Sequence, residues 1–184
     1  LQAEKTPVRG AKLMLHQLAS CRLTLSKLDA AFPDARYLVL YRQSLAEQFV
    51  SFESAKATKQ FLVFDGQERR RARVVVDPQE LRGYCDRLRA SYREAISHPW
   101  LAGRAVLLSY EELTAEPEHW LGEHICPLLG IEPMPPKTYL HKQATEPLSQ
   151  RVSNYNQVAT LLHSPLCRQQ HVWPWERQAR RRAA

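Results

Sequence analysis

Apolar residues in this chain occur as short unbroken runs and as longer stretches spaced three or four apart, and the two kinds alternate. "PVRGAKLML" ends in an apolar run through Leu15 that predicts a short strand. "SCRLTLSKLDAAF" places Leu23, Leu25, Leu28, Ala31 and Phe32 at helical spacing, closed by Pro33 and Asp34. "RYLVLY" is continuous, the pattern of a parallel strand covered on both faces. From Ser44 the positions Leu45, Phe49, Phe52 and Ala55 predict a helix over about 45 to 60, with Ser44 and Glu47 placed as a capping box.

Residues 61–76 read as a hairpin or loose excursion around Asp65-Gly66. Asp77 as N-cap and Pro78 in the first turn then open a helix whose stripe runs from Leu81 through Cys85 and Tyr92 to Ile96. "AVLLSY" at 105–110 predicts a second buried strand. "AEPEHWLGEHICPLLG" predicts a helix with Pro117 in its first turn and Gly130 at its end. A proline connector follows, then a last helix over about 147–163 with Val152, Tyr155, Val158 and Leu162 inward. Strands alternating with helices predict an α/β fold: a parallel sheet flanked by helices on both faces. The expected domain is 1–165, and 166–184 is a basic C-terminal tail.

Composition changes this picture little. At 184 residues, 44% apolar and 24% charged, the chain suits one globular core, and no apolar run is long enough to cross a membrane. The net charge of +7 is local: Arg69, Arg70, Arg71 and Arg73 form one cluster and Arg177, Arg180, Arg181 and Arg182 another. Leaving those eight aside, 18 of the 26 basic residues face 19 acidic ones. No nucleic-acid partner is therefore expected, although the arginine clusters keep a salt-sensitive nucleic-acid binder as a third option. Cys21, Cys85, Cys126 and Cys167 have no metal-binding spacing, so they read as reduced, mostly buried thiols, with no metal. No signal peptide is visible, which gives a cytoplasmic expectation; the start at Leu1 also fits a fragment.

Candidate chemistry centres on Arg42, where a buried strand stops and a helix begins. Such carboxyl edges of parallel strands are where open α/β sheets bind ligands. A guanidinium there can grip a phosphate or sulfate with two parallel hydrogen bonds while the next helix offers free N–H groups. Ser51, about two turns along, can add a hydroxyl. The competing reading pairs Arg42 with a carboxylate and leaves Ser51 merely packed.

"FPDARYLVLYRQSLAEQFVSFESA" resembles the segment of sulfotransferases in which a strand ends in Arg and a Ser follows on the next helix. "VLLSYEELTAEPEHWLGEHICPLLGIEP", "LSQRVSNYNQVATLL" and "GAKLMLHQL" are similar to three further stretches of the bacterial, trehalose sulfotransferase-like group, in order over residues 8–163. The resemblance implies a P-loop NTPase-like sulfotransferase fold. It implies that Arg42 and Ser51 bind the 3′-phosphate of the donor 3′-phosphoadenosine 5′-phosphosulfate (PAPS), and that the acceptor is a hydroxyl of a carbohydrate, lipid or secondary metabolite. It places His16 and Lys12 as catalytic candidates, His16 as base and Lys12 on the leaving phosphate, on one face of the first strand. Tyr110, Glu111 and Leu113 recur in the motif and read as structural, as does Asn154. Lys142, Gln143 and Arg151 sit where family members bring polar groups towards the donor. Trp173 and Trp175 read as docking the tail or forming an interface, and a homodimer is allowed.

Three departures stand beside the resemblance. Ser51 is nine residues after Arg42 where the family has eight, turning it about 100° around a helix. The six glycines are ungrouped, so the 5′-phosphosulfate loop is expected upstream of Leu1. The usual base of trehalose-type members is expected there too. The alternative from another class is a non-catalytic sulfotransferase-like binding module, or pseudoenzyme, without the donor loop.

Overall fold

The computed structural model describes residues 8–142 and 144–174, with the side chains of His16 and Ala19 outside that description. Two strands, β1 (Tyr37–Tyr41) and β2 (Ala105–Ser109), pair in parallel with Tyr37 opposite Ala105 and Tyr41 opposite Ser109. Their carboxyl ends therefore emerge side by side. The helices α3 (Leu45–Thr58) and α4 (Pro78–Ile96) lie between them in sequence. The strand–helix alternation is that of an α/β fold.

The expectation of a first strand over 8–15 is corrected. Among the described residues no regular element precedes Leu15, and α1 spans Leu15–Ser20. The Met14 carbonyl accepts from the Gln17 and Leu18 N–H groups, and the Gln17 side chain accepts from the Met14 N–H. That local turn uses the groups a strand would need, and among the described residues β1 pairs with β2 alone. Lys12, exposed and outside any element, consequently shares no strand face with His16, which falls within α1.

The next helix, α2 (Leu25–Ala31), starts where Thr24 accepts from the Lys27 N–H. It buries no residue, and Phe32 lies exposed. Arg104 holds it to the sheet through Asp29 at 2.8 Å.

β1 has two unlike faces. Tyr41 is buried, and Tyr37 and Val39 pack against Ile96, Leu101 and Trp173, while Leu38 and Leu40 are 47% and 41% exposed. The larger core lies elsewhere, between α3, α4 and the C-terminal segment: Leu45, Val50, Leu81, Cys85, Val152 and Leu162 meet there. Helix α4 begins as the sequence predicts, with Asp77 accepting from both Gln79 and Glu80 N–H groups. Its Tyr92 hydroxyl donates to the Leu40 carbonyl and so ties α4 to β1.

Beyond β2, Ser109 and Glu112 make a complete capping box that starts α5 (Tyr110–Ala115). The following helix runs as α6 (Pro117–Trp120), a π turn (Leu121–Ile125) and α7 (Cys126–Leu129). Pro127 explains the π turn, because a proline offers no N–H and crowds the carbonyl four residues back; the Cys126 N–H reaches Leu121 instead. Gly130, at φ 65°, closes α7 with Ile131 N–H bonded to the Cys126 carbonyl.

The last helix is also corrected. It is broken into α8 (Leu148–Arg151) and α9 (Tyr155–Leu162). The backbone between them pairs with the excursion after α3: Val74 N–H donates to the Arg151 carbonyl and Ser153 N–H to the Val74 carbonyl. That excursion is thus no hairpin. Its first part pairs with the 139–141 stretch through Val63 and Asp65, its second with 151–153. Beyond Pro165, Cys167, Gln169, His171 and Trp173 are all buried, so residues through Trp173 lie against the body. Trp175 falls outside the described residues.

Candidate functional site

Arg42 follows the last residue of β1, and Tyr110 the last residue of β2, so the parallel register sets them at the same edge. The Arg42 guanidinium carbon sits 3.9 Å from the centre of the Tyr110 ring. Its Nε is 3.7 Å from Glu111 Oε1, which gives attraction without a hydrogen bond. The Arg42 carbonyl accepts from the Gln169 side chain, and the Gln43 N–H donates to Glu111 Oε2. The residue is thus held by its backbone, by ring stacking and by charge, while no described residue bonds to its N–H fork. Lys142 brings a second cation to the same ring, its Nζ 5.6 Å from the centre. Both the phosphate reading of Arg42 and its carboxylate alternative find an observation here: Glu111 is close, yet leaves the fork open.

Two residues on, Ser44 caps α3 by accepting the Glu47 N–H. The reciprocal half of the expected box is replaced by a longer-range contact. The Glu47 carboxylate pairs with Arg151 of α8, a residue only 6% exposed. Arg151 Nη2 donates to Ser51 Oγ at 2.8 Å. Ser51 therefore faces the C-terminal segment and borders a cavity of about 230 Å³, whose lining includes Arg70, Arg71, Arg73, Glu146 and Arg151. Arg42 is not part of that lining, so Arg42 and Ser51 are engaged by different partners.

Glu146 is the cavity's carboxylate, paired with Arg71 at 3.2 Å. Backbone N–H groups of Glu146 and Thr145 hold its carboxyl below the usual range, with Arg71 and Arg151 adding to the effect. Arg73 reaches the Val152 carbonyl.

The other sequence candidates separate by role. Asn154 serves structure: its amide oxygen accepts from the Val76 N–H at 3.0 Å and its amide nitrogen donates to the Val76 carbonyl at 2.9 Å. Lys12 lies exposed before α1, and the structure shows no contact between it and Arg42 or Ser51. The His16 side chain and Gln143 lie outside the described residues. The sequence reads the 69–73 arginines only as a local cluster of charge and Tyr110 and Glu111 as structural, and so misses that Arg70, Arg71 and Arg73 neighbour Ser51 and that Tyr110 and Glu111 neighbour Arg42. It is the register, Tyr41 opposite Ser109, that sets residues 42 and 110 level, and two strands of similar length do not reveal it in the sequence.

Among the described residues no helix is long and apolar enough to cross a membrane, and no cluster of His, Cys, Asp and Glu is placed to hold a metal. No curated protein and no solved structure matches the chain. The family model described as the sulfotransferase family matches residues 7–136, which takes in both strands, the Arg42 junction, α3, α4 and the helix ending at Gly130. A match over that much of the chain, taking in the edge where Arg42 meets Tyr110, places this protein in the sulfotransferase family.

Proposed function

We propose that the protein is a PAPS-dependent sulfotransferase acting on a hydroxyl acceptor, a carbohydrate, lipid or secondary metabolite, with no metal in the reaction. The observation that carries this reading is the Arg42 guanidinium at the carboxyl edge of two parallel strands, fixed by Tyr110 and Glu111 yet with its N–H fork bonded to no described residue. An arginine in that setting fits the 3′-phosphate of the donor, since a planar fork meets a phosphate with two parallel hydrogen bonds. Ser51, whose hydroxyl accepts from Arg151 and keeps its own proton to donate, is the second phosphate residue in this reading.

The donor supplies the sulfuryl group: the acceptor oxygen bonds to sulfur as the bond from sulfur to the 5′-phosphate oxygen breaks, the electron pair leaving on that phosphate. His16 takes the acceptor's hydroxyl proton, a role suited to a side chain whose ordinary pKa is about 6.5. Lys12 and Lys142 offer positive charge for the leaving phosphate. The 61–76 excursion and α4 lie on the acceptor side, and the active unit is cytoplasmic, either monomer or homodimer.

Incubation with PAPS and a panel of hydroxyl acceptors, following release of adenosine 3′,5′-bisphosphate, tests the reaction. Acceptor-dependent release, lost in His16→Ala, supports it. Bisphosphate binding without any release supports the non-catalytic binding module instead.

A further inference from the structure

Residues 61–67 form a closed loop that keeps most of its apolar side chains outside. Its neck is clamped by Gln60, whose amide nitrogen donates to the Glu68 carbonyl and whose amide oxygen accepts from the Arg70 N–H. Its tip is a turn at Asp65-Gly66, where Gly66 sits at φ 76° and the Gln67 N–H donates to the Phe64 carbonyl. So held, the loop leaves Phe61, Leu62 and Phe64 exposed, while Val63 among them turns inward. Leu140, opposite Phe64 in the bridge to the 139–141 stretch, lies on the same side of that pair and is exposed as well. Phe52 of α3, also exposed, brings its ring to 6.4 Å from that of Phe61. Five large apolar side chains gathered at one corner exceed the scatter of single exposed residues that any surface shows.

Charge of one sign dominates around them. Over 52–73 and 137–142, eight Lys and Arg stand against three Asp and Glu, so these two stretches carry +5 of the chain's net +7. Of the three carboxylates, Asp65 is bonded to His141 and Glu53 to Lys56. Phe61, Leu62 and Phe64 line one open depression of about 510 Å³ together with Lys59, Glu68 and Arg70. Apolar and cationic side chains are therefore interleaved rather than sorted into a core and a rim. A protein partner's interface is built the other way, with charge depleted at its centre, and two copies of this chain meeting here would set like charges against each other. A bilayer surface accepts the interleaved order. Apolar tips enter the boundary between headgroups and acyl chains to about 5–10 Å, while long Lys and Arg side chains reach back to the phosphates. Each cation held near an anionic leaflet adds to the attraction.

We infer that this corner of the molecule docks on the surface of a bilayer containing anionic phospholipid, with Phe61, Leu62 and Phe64 entering the interface and Lys59, Arg69 and Arg70 meeting the headgroups. The contact is peripheral, made by a loop that enters only the headgroup region. It goes beyond the donor reading above and does not require it. Joined to that reading, it favours the lipid among the three acceptor classes.

Flotation of the full chain with vesicles tests it, using phosphatidylcholine alone and an equimolar mixture with phosphatidylglycerol, at low and high chloride. The comparison is with Phe61→Ser/Leu62→Ser, both exposed positions, and with Arg69→Gln/Arg70→Gln, a melting curve being recorded for each protein. Phe64→Ser is the further variant should the first one melt early. The parent binds the mixed vesicles at least about tenfold more tightly than Phe61→Ser/Leu62→Ser does, at an unchanged melting temperature, and binds pure phosphatidylcholine more weakly. Arg69→Gln/Arg70→Gln weakens binding to the mixed vesicles severalfold and lessens its fall with added salt. No flotation of the parent overturns the inference. So does equal flotation of the parent and the apolar variant, the result expected if the arginines at 177–182 alone carried the binding. Self-association of a parent that does not float, lost in Phe61→Ser/Leu62→Ser, assigns the face to a second copy and overturns the inference too. Vesicle binding by a parent that takes up no adenosine 3′,5′-bisphosphate supports the inference and sinks the donor reading.

Discussion

Asn154 shows how one side chain can stand in for a stretch of sheet. Its amide gives and receives a hydrogen bond at the Val76 backbone, where α8 and α9 are parted. Asn154→Ala leaves that backbone pair without partners and should cost about 1–3 kcal/mol, read as a lower urea midpoint at unchanged bisphosphate affinity. A large loss of affinity would place Asn154 at the ligand instead. The sequence placed this residue as structural, but within a continuous helix, because the pairing with Val76 comes from residues 78 positions away. The thiols were more legible. Cys21 is exposed and Cys85, Cys126 and Cys167 are buried, as the absence of any metal or disulfide spacing led one to expect. The Cys85 thiol donates to Cys167, 3.8 Å away, and this bond with burial pushes its pKa up. Native protein should therefore show one fast thiol towards iodoacetamide, lost in Cys21→Ser, with the other three appearing only on unfolding.

Elements carried by capping chemistry and long periodic stripes were readable. Helix α4 is where Asp77, Pro78 and the Leu81 stripe put it, because cap and stripe agree. Asp77→Ala frees two first-turn N–H groups and should cost about 1 kcal/mol of stability in urea unfolding, with no effect on bisphosphate binding. The short apolar run before Leu15 was misread because an unbroken run fits a strand or a buried turn of helix equally well. There the Gln17 side chain decided, by reaching back to Met14. Strand β1 was located correctly, yet its continuous hydrophobicity overstated its burial. Leu108→Ala on β2, where Leu108 is 2% exposed, should cost about 2–5 kcal/mol. Leu40→Ala on β1 should cost about 1 kcal/mol or less, since much of that side chain already meets solvent. Equal penalties would mean that both faces of β1 are covered in solution.

At the scale of the whole molecule, packing and chemistry occupy different places. The larger core binds α3, α4 and the C-terminal segment together, while the candidate site lies at the edge of a two-stranded parallel sheet beside it. That separation lets Arg42 keep an open fork, since the charge it carries is steadied by Tyr110 and Glu111 rather than used up in the core. The Arg42 junction was legible from the strand, the residue that ends it and the helix that follows. The Ser51 surroundings were not, because Arg151 lies 100 residues further along and only folding brings it there. Titration of adenosine 3′,5′-bisphosphate into the parent protein and into Arg42→Ala tests the donor site most directly. Loss of a charge-assisted phosphate contact predicts an affinity lower by about 1.5–3 kcal/mol, more than tenfold, in a variant that melts with the parent. Binding of equal strength to both proteins, or none to the parent, would contradict it.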